Sequence, residues 1–193
     1  MIKNLFNEKK AAQAAAYFLF RAGGRVSVLK LMKLLYLAER RSFERYGTPM
    51  IGDRMVSMPH GPVLSCTYNH MNGELESADG GWESWIADRE EHDLDLRNRA
   101  AMKSPEEDLL ELSDADLSVL SEIWAQFGKM GKYALRHWTH KNCPEWKDPD
   151  GSMIPLAPEE LFAALKFTPE QTREALARLH TESTVNAAFA SLK

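Results

Sequence analysis

Apolar residues recur along most of this chain at the three- and four-residue spacing of α-helices. The strongest case runs from about residue 27 to residue 46, where apolar side chains cover most of the helix circumference. Ser27 is placed to cap this helix, and Gly47 and Pro49 end it. We expect so apolar a helix to lie at the centre of the domain. Its narrow polar stripe, the expected contact with solvent or a partner, consists of Lys30, Lys33, Arg40 and Arg41.

Start and stop signals predict further helices on both sides of this segment. An alanine-rich helix is expected from about Glu8 to Ala22, because alanine favours helices and two glycines follow. Capping residues predict helix starts after Ser104, Ser113 and Thr168. The remaining helices are predicted at "KYALRHWTHK", from Pro158 through Phe167, and from residue 168 toward Phe189.

Three short segments depart from the pattern of long helices. "GDRMVSM" in residues 52–58 predicts a short extended piece. Gly61-Pro62 is predicted to lead into a short helix through Met71, with the proline at an early helical position. Alternating residues predict a small β-hairpin near residues 83–97, with its turn at Glu90-Glu91. The predicted fold is mainly α, with this hairpin attached to a compact helical body.

Composition narrows the class of protein. A chain of 193 residues, 44% hydrophobic, predicts one domain with room for a small appendage. The net charge of −4 argues against a protein whose main function is to bind the phosphate backbone of nucleic acids, although a local basic patch is compatible with this charge. The two cysteines, Cys66 and Cys143, form no disulfide framework, and no apolar run reaches the length of a membrane span. We therefore expect a cytoplasmic protein without a membrane partner.

A metal site is the first chemical alternative. His137, His140 and Cys143 follow one another at intervals of three, so two imidazoles and a thiolate are able to face the same way. A closed zinc site needs a fourth ligand, which only a distant residue such as His60 or His70 would supply. Helix-end histidines more often cap carbonyl groups or pair with acids, so we expect no metal and no other cofactor.

Nucleophilic catalysis is the second chemical alternative. Ser65 and Cys66 lie near His60 and His70 in the sequence, but no nucleophile elbow surrounds them and no orienting acid stands out. The phosphate-binding glycine loops are also missing. The sequence therefore predicts that the protein is not an enzyme.

DNA binding is the main functional alternative. The segment "AAYFLFRAGGRVSVLKLMKLLYLAERR" resembles a helix-turn-helix with glycines in the turn. A recognition helix must expose a polar face to the major groove, whereas the second helix here is apolar nearly all round. A DNA-binding transcriptional regulator that uses this N-terminal segment is thus kept as the alternative function.

Four separated motifs follow one another along the chain: a lysine- and leucine-rich helix with tyrosine, a G-x-P-[LM] turn, a Gly-Pro-Val segment, and a helix pair ending in Thr-His and Pro-x-Trp. The first is represented by Lys30, Leu31, Lys33, Leu34, Leu35 and Tyr36, and the second by Gly47, Pro49 and Met50. The others are represented by Gly61, Pro62, Val63 and Tyr68, and by Thr139, His140, Pro144 and Trp146. In this order the motifs resemble the Panacea antitoxin domain, also called SocA-like and, in phage-associated relatives, GepA-like.

The resemblance covers roughly the first three quarters of the chain and has two departures. His60 stands where the family usually has an aromatic residue, and Glu145 lies between the proline and tryptophan that often adjoin. We therefore expect a Panacea-like domain over residues 1–155 and a C-terminal helical extension over residues 156–193.

The resemblance implies a non-enzymatic antitoxin of a bacterial or phage toxin–antitoxin system. Its partner would be a toxin encoded by a neighbouring gene, neutralised by direct binding or by delivery to an ATP-dependent protease. Aromatic, arginine and amide groups suit recognition, because a few such anchors carry most of the energy of an interface. The predicted toxin-binding residues are Arg40, His60, Tyr68, Asn69 and Trp146.

Overall fold

A computed structural model describes residues 4–88 and 92–192. The longer helices are α1 (Glu8–Ala22), α2 (Val28–Tyr46), α6 (Asp114–Phe127), α7 (Lys132–Asn142) and α9 (Pro169–Ala190). The shorter ones are α3 (Ser65–Met71), α4 (Trp82–Trp85), α5 (Pro105–Asp108) and α8 (Pro158–Ala164), with a 3₁₀ turn at Arg99–Ala101. The strands are β1 (Val26–Ser27), β2 (Met55–Met58), β3 (Gly61–Leu64), β4 (Ile86–Asp88), β5 (Asp93–Leu96) and β6 (Ile154–Pro155). The fold is mainly α with small β elements, as predicted.

Helix α2 is the centre of the molecule, which confirms the prediction for residues 27–46. The Ser27 side chain accepts a hydrogen bond from the Lys30 amide, and Gly47 ends the helix in a left-handed conformation. Helices α1, α6, α7 and α8 and strand β3 all pack against it. Its fully buried apolar side chains include the motif residues Leu31, Leu34, Leu35 and Tyr36.

The polar stripe predicted for α2 is only partly correct. Lys30 and Arg41 are half-buried at the helix surface, but Lys33 is fully buried and Arg40 is mostly covered. Glu39, which the apolar pattern did not single out, is also fully buried. The helix therefore carries Lys33, Glu39 and most of Arg40 into the core, where they hold neighbouring segments.

The predicted hairpin near residues 83–97 is present and begins slightly later. Strands β4 and β5 are antiparallel, with Ile86 opposite Leu96 and Asp88 opposite Leu94. Residues 83–85 belong instead to α4, and β1 completes a three-stranded sheet in the order β1-β5-β4. The turn predicted at Glu90-Glu91 lies outside the described residues.

The second sheet corrects the prediction for the Gly-Pro segment. Gly61 and Pro62 do not open a helix; they lie in β3, which pairs antiparallel with β2 as Pro62 faces Ser57. The sheet order is β3-β2-β6, so the proline is on an edge strand, where its missing amide removes no ladder bond. The short helix α3 begins only at Ser65, and β2 confirms the extended piece predicted within residues 52–58.

The C-terminal segment returns to the domain through β6 and α8. Strand β6 pairs with β2, and α8 buries Leu161 and Phe162, the latter with its ring centroid 5.5 Å from that of Phe43. A cavity of about 440 Å³ lies between these elements and α9, with mainly apolar lining. Helix α9 buries only Ala175 and Leu179. The boundary that we propose at residue 155 coincides with the end of β6.

No helix within residues 4–88 and 92–192 combines the length and the hydropathy that a membrane crossing requires.

We expect Leu35→Ala to lower the free energy of unfolding by about 2–5 kcal/mol, because it leaves a cavity at the centre of the core. Leu110→Ala is the matched control, since Leu110 is 82% exposed and should change stability by less than about 0.5 kcal/mol. Chemical denaturation of the two variants checks this. Equal stabilities would contradict the central position of α2.

Candidate functional site

The outer edge of β3 is covered by α2 rather than by another strand. The Lys33 ammonium group donates a hydrogen bond of 2.7 Å to the carbonyl oxygen of Pro62. One residue along α2, the Met32 sulfur accepts the amide of Leu64 at 3.3 Å. These two contacts satisfy the outward-facing carbonyl of Pro62 and amide of Leu64. Proline itself has no amide that would need a partner at this edge. The lysine-rich helix and the Gly-Pro-Val segment are thus parts of one structure.

Gly61 is required at the start of this strand for two reasons. Its φ is +99°, a backbone conformation that residues other than glycine rarely adopt. A Cβ atom there would also lie 3.0 Å from Lys33 Nζ and 3.1 Å from the His140 ring. The glycine therefore lets the lysine and the histidine approach the strand closely.

A buried carboxylate joins α2 to the segment after α7. Glu145 is buried, and its Oε1 accepts hydrogen bonds from the Tyr36 hydroxyl at 2.6 Å and from Arg40 Nε at 2.7 Å. Arg40 Nη2 lies 3.5 Å from the other oxygen. A buried charge of this kind is tolerated because it has both an opposite charge and hydrogen-bond donors. The residue that departs from the family pattern therefore holds two motifs together.

The last motif closes over the β2–β3 turn. The ring of His140 stacks on that of Trp146, with 4.0 Å between their centroids. The Trp146 indole donates a 3.0 Å hydrogen bond to the carbonyl of Met58, and Thr139 is fully buried. Thr139, His140 and Trp146 thus attach α7 and its following loop to the sheet, which is a structural role.

Glu39 holds the G-x-P-M loop in the same manner. Its Oε2 accepts the amides of Met50 at 2.9 Å and Ile51 at 2.8 Å, and its Oε1 accepts that of Gly52 at 2.8 Å. Burial raises the pKa of Glu39 to about 7, against the lowering effect of these three amides. The loop after α2 is therefore folded back onto a carboxylate inside the helix.

Burial also governs titration around Glu145 and Lys33. It lowers the pKa of Lys33 to about 7, since the charged ammonium group loses its water. Burial raises the pKa of the Cys143 thiol to about 12, with the nearby Glu145 carboxylate acting in the same direction. It raises the pKa of Tyr36 well above the ordinary value as well. At neutral pH Cys143 is a protonated thiol, so it is neither a nucleophile nor a ready metal ligand.

The two histidines and the cysteine considered as metal ligands, His137, His140 and Cys143, are engaged separately. His140 stacks on Trp146, Cys143 is buried, and His137 Nε2 accepts a 2.8 Å hydrogen bond from Arg136. Across residues 4–88 and 92–192, no three His, Cys, Asp or Glu side chains are grouped to hold a metal ion.

The predicted toxin-binding residues fall into two groups. Arg40 and Trp146 are engaged inside the network just described. His60 is exposed in the β2–β3 turn, whereas Tyr68 and Asn69 are half-buried on α3, with Tyr68 packed against the core. This helix is positioned by Asp53, whose carboxylate accepts the amides of Cys66 and Thr67.

A family model described as "Antitoxin SocA-like, Panacea domain" matches residues 31–147. This range contains the four motifs apart from Lys30, the first residue of the first motif, and ends one residue after Trp146. The protein belongs to the SocA-like Panacea family. Membership in this antitoxin family favours a non-enzymatic role. Searches of curated proteins and of solved structures gave no significant match.

The fold brings together Panacea motifs that lie far apart in the chain. They meet in one buried network, in which Lys33 holds the Gly-Pro strand and Glu145 joins α2 to the Pro-x-Trp loop. Sequence reasoning found the motif residues but missed Glu39 and Glu145 as their partners. The sequence signals for these two residues are the position of Glu39 within the apolar part of α2 and that of Glu145 inside an otherwise matched motif.

We expect the stability of the wild-type protein to rise with pH relative to Lys33→Met between about pH 7 and pH 10. The folded pKa of Lys33 is about 7, whereas that of an unfolded lysine is about 10.4, so in this window the unfolded chain binds more protons. The stability difference should grow by up to about 1.4 kcal/mol per pH unit.

Urea unfolding of both proteins from about pH 6 to pH 9 tests this, since methionine keeps the length of the side chain without titrating. Parallel pH profiles would show that the Lys33 ammonium group is not desolvated as described.

Proposed function

We propose that this protein is the antitoxin of a toxin–antitoxin system and neutralises a cognate toxin by direct protein–protein binding. The observation that carries the proposal is the Panacea family match over residues 31–147. The toxin would be the product of a neighbouring gene. The protein itself would perform no catalysis, in keeping with the protonated state of Cys143 at neutral pH.

The toxin-binding surface that we propose lies beside the motif network rather than within it. Residues buried in that network are unavailable for a partner and serve the fold. Among the predicted anchors, His60 and Asn69 reach the surface without holding other segments through their side chains. Tyr68 is a mixed case, because truncating it would also remove core packing.

Arg40 is unsuitable for separating binding from folding. A charge reversal there would place a second carboxylate against buried Glu145 and destabilise the protein. Loss of rescue by an Arg40 variant would consequently say nothing about the toxin surface.

Delivery of the toxin to an ATP-dependent protease is the finer alternative within the same function. Toxin levels distinguish the two modes: neutralisation by binding leaves the toxin present in the complex, whereas delivery depletes it in a protease-dependent way. The N-terminal helix-turn-helix reading has less support, because α2 is buried along most of its length and offers no open recognition face.

Co-expression with the neighbouring gene provides the functional test. Expression of the neighbour alone should stop growth, and co-expression should restore growth and yield a complex that co-purifies. His60→Ala with Asn69→Ala should reduce co-purification by about tenfold or more, the effect of losing more than about 1.4 kcal/mol of interface energy.

The matched control is Asn98→Ala with Arg25→Ala, two exposed residues outside the matched motifs. It should rescue growth as the wild type does, and all variants should melt at the wild-type temperature. A non-toxic neighbour would contradict the antitoxin function. Full rescue by the His60/Asn69 variant would instead place the toxin elsewhere, with the C-terminal helix next to be tested.

A further inference from the structure

Helix α7 and the turn before it carry a concentrated positive charge on an otherwise acidic protein. Four lysine and arginine residues lie between positions 129 and 141, whereas residues 123–144 contain no aspartate or glutamate. The chain as a whole has a net charge of −4. We name this surface the α7 basic face, and it consists of Lys129, Lys132, Tyr133, Arg136, His137 and Lys141.

Five side chains of this face are exposed and that of Arg136 is half-buried, while the opposite side of α7 is buried. Leu135 and Thr139 pack inward, and Tyr133 is 58% exposed. The Tyr133 ring has Lys132 Nζ at 5.4 Å and the Arg136 guanidinium carbon at 5.5 Å from its centroid.

Nothing acidic neutralises the face within the part of the chain that the structure describes. The ion pairs found there involve other lysines and arginines, while the hydrogen bond found for Arg136 is to the ring of its neighbour His137. Clustered like charges disfavour the folded state, and a polyanion bound at the face would relieve that repulsion.

The face lies on the second helix of a helix, short turn and helix in sequence. Helix α6 ends at Phe127, residues 128–131 form a four-residue turn that contains two glycines, and α7 follows. A ring contact of 4.6 Å between Phe127 and Trp138 joins the two helices. Turns of three or four residues with glycine are typical of this motif, whose second helix enters the major groove.

We propose that the α7 basic face binds double-stranded DNA, with Lys129, Lys132, Arg136 and Lys141 against phosphates and α7 at the major groove. Protein interfaces are depleted in lysine, whereas lysine and arginine supply most phosphate contacts, so this lysine-rich face fits DNA better than an acidic protein. The major groove of B-DNA admits an α-helix, and that of A-form RNA is too narrow. This activity is independent of toxin binding and uses a different helix from the N-terminal segment first considered.

Fluorescence anisotropy with the full chain and a labelled mixed-sequence duplex of roughly 30 bp, about three helical turns, tests the proposal. Four phosphate contacts predict that log K falls with log [KCl] with a slope of about −3.6. Lys129→Glu with Lys132→Glu should weaken binding at least tenfold and bring the slope to about −2. These positions precede and open α7, where acidic side chains favour a helix, so the variant should fold.

The matched control is Arg25→Glu with Arg173→Glu, which changes the net charge equally at exposed sites that are not part of the α7 basic face. It should retain at least half of the wild-type affinity. Equal weakening in both double variants would show a response to net charge and overturn the proposal. Equally tight binding of poly-glutamate, with the same dependence on Lys129 and Lys132, would overturn it in favour of an acidic protein partner.

Discussion

The ion pair between Glu145 and Arg40 is the interaction on which the rest of the structure depends. The Glu145 side chain has no solvent exposure, and its carboxylate lies 2.7 Å from Arg40 Nε. A carboxylate without partners in such a place would cost several kcal/mol of stability. Because both donors, Tyr36 and Arg40, come from α2, the loop that carries Glu145 has one position on the central helix. That loop in turn places Trp146 over the β2–β3 turn.

The same helix satisfies backbone groups that a small sheet would otherwise leave unpaired. Lys33 and Met32 bond to the outer edge of β3, and Glu39 collects three amides from the loop after α2. A three-stranded sheet of such short strands has little core of its own. The side chains of Lys33 and Met32 therefore take the place of the extra strand that would normally protect the edge of β3. In this chain the Panacea motifs are joined to one another through side chains of α2 and through Glu145.

The sequence predicts the helices better than it predicts the polar core. Alanine content, caps and glycine stops place α1, α2, α6 and α9 close to their observed bounds, because these signals are local. The Gly-Pro segment was misassigned to a helix start, since proline suits both an early helical position and an edge strand. Lys33 and Glu39 were expected at the surface or overlooked, because a helical pattern does not reveal that distant backbone groups will bury a charge.

The residues that hold the fold together also differ from those that we propose to contact partners. Arg40 and Trp146 belong by type to the residues that anchor interfaces, yet their partners lie within the fold. The surfaces that we propose for partners are the β2–β3 turn with α3, for the toxin, and the basic face of α7, for DNA. The two differ in charge and composition and are neighbours, because His140 of α7 lies beside Gly61 at the start of β3.

The most direct test of the central claim is a double-mutant cycle between Arg40→Met and Glu145→Gln, measured by urea unfolding. Each single variant removes one member of a buried pair, and Arg40→Met, which leaves the carboxylate uncompensated, should cost about 3–5 kcal/mol. The double variant should lose less stability than the two single variants lose together, and the coupling free energy should be about 1–3 kcal/mol. Additive losses, or small losses in both single variants, would contradict the account, because Glu145 and Arg40 would then not act as one unit.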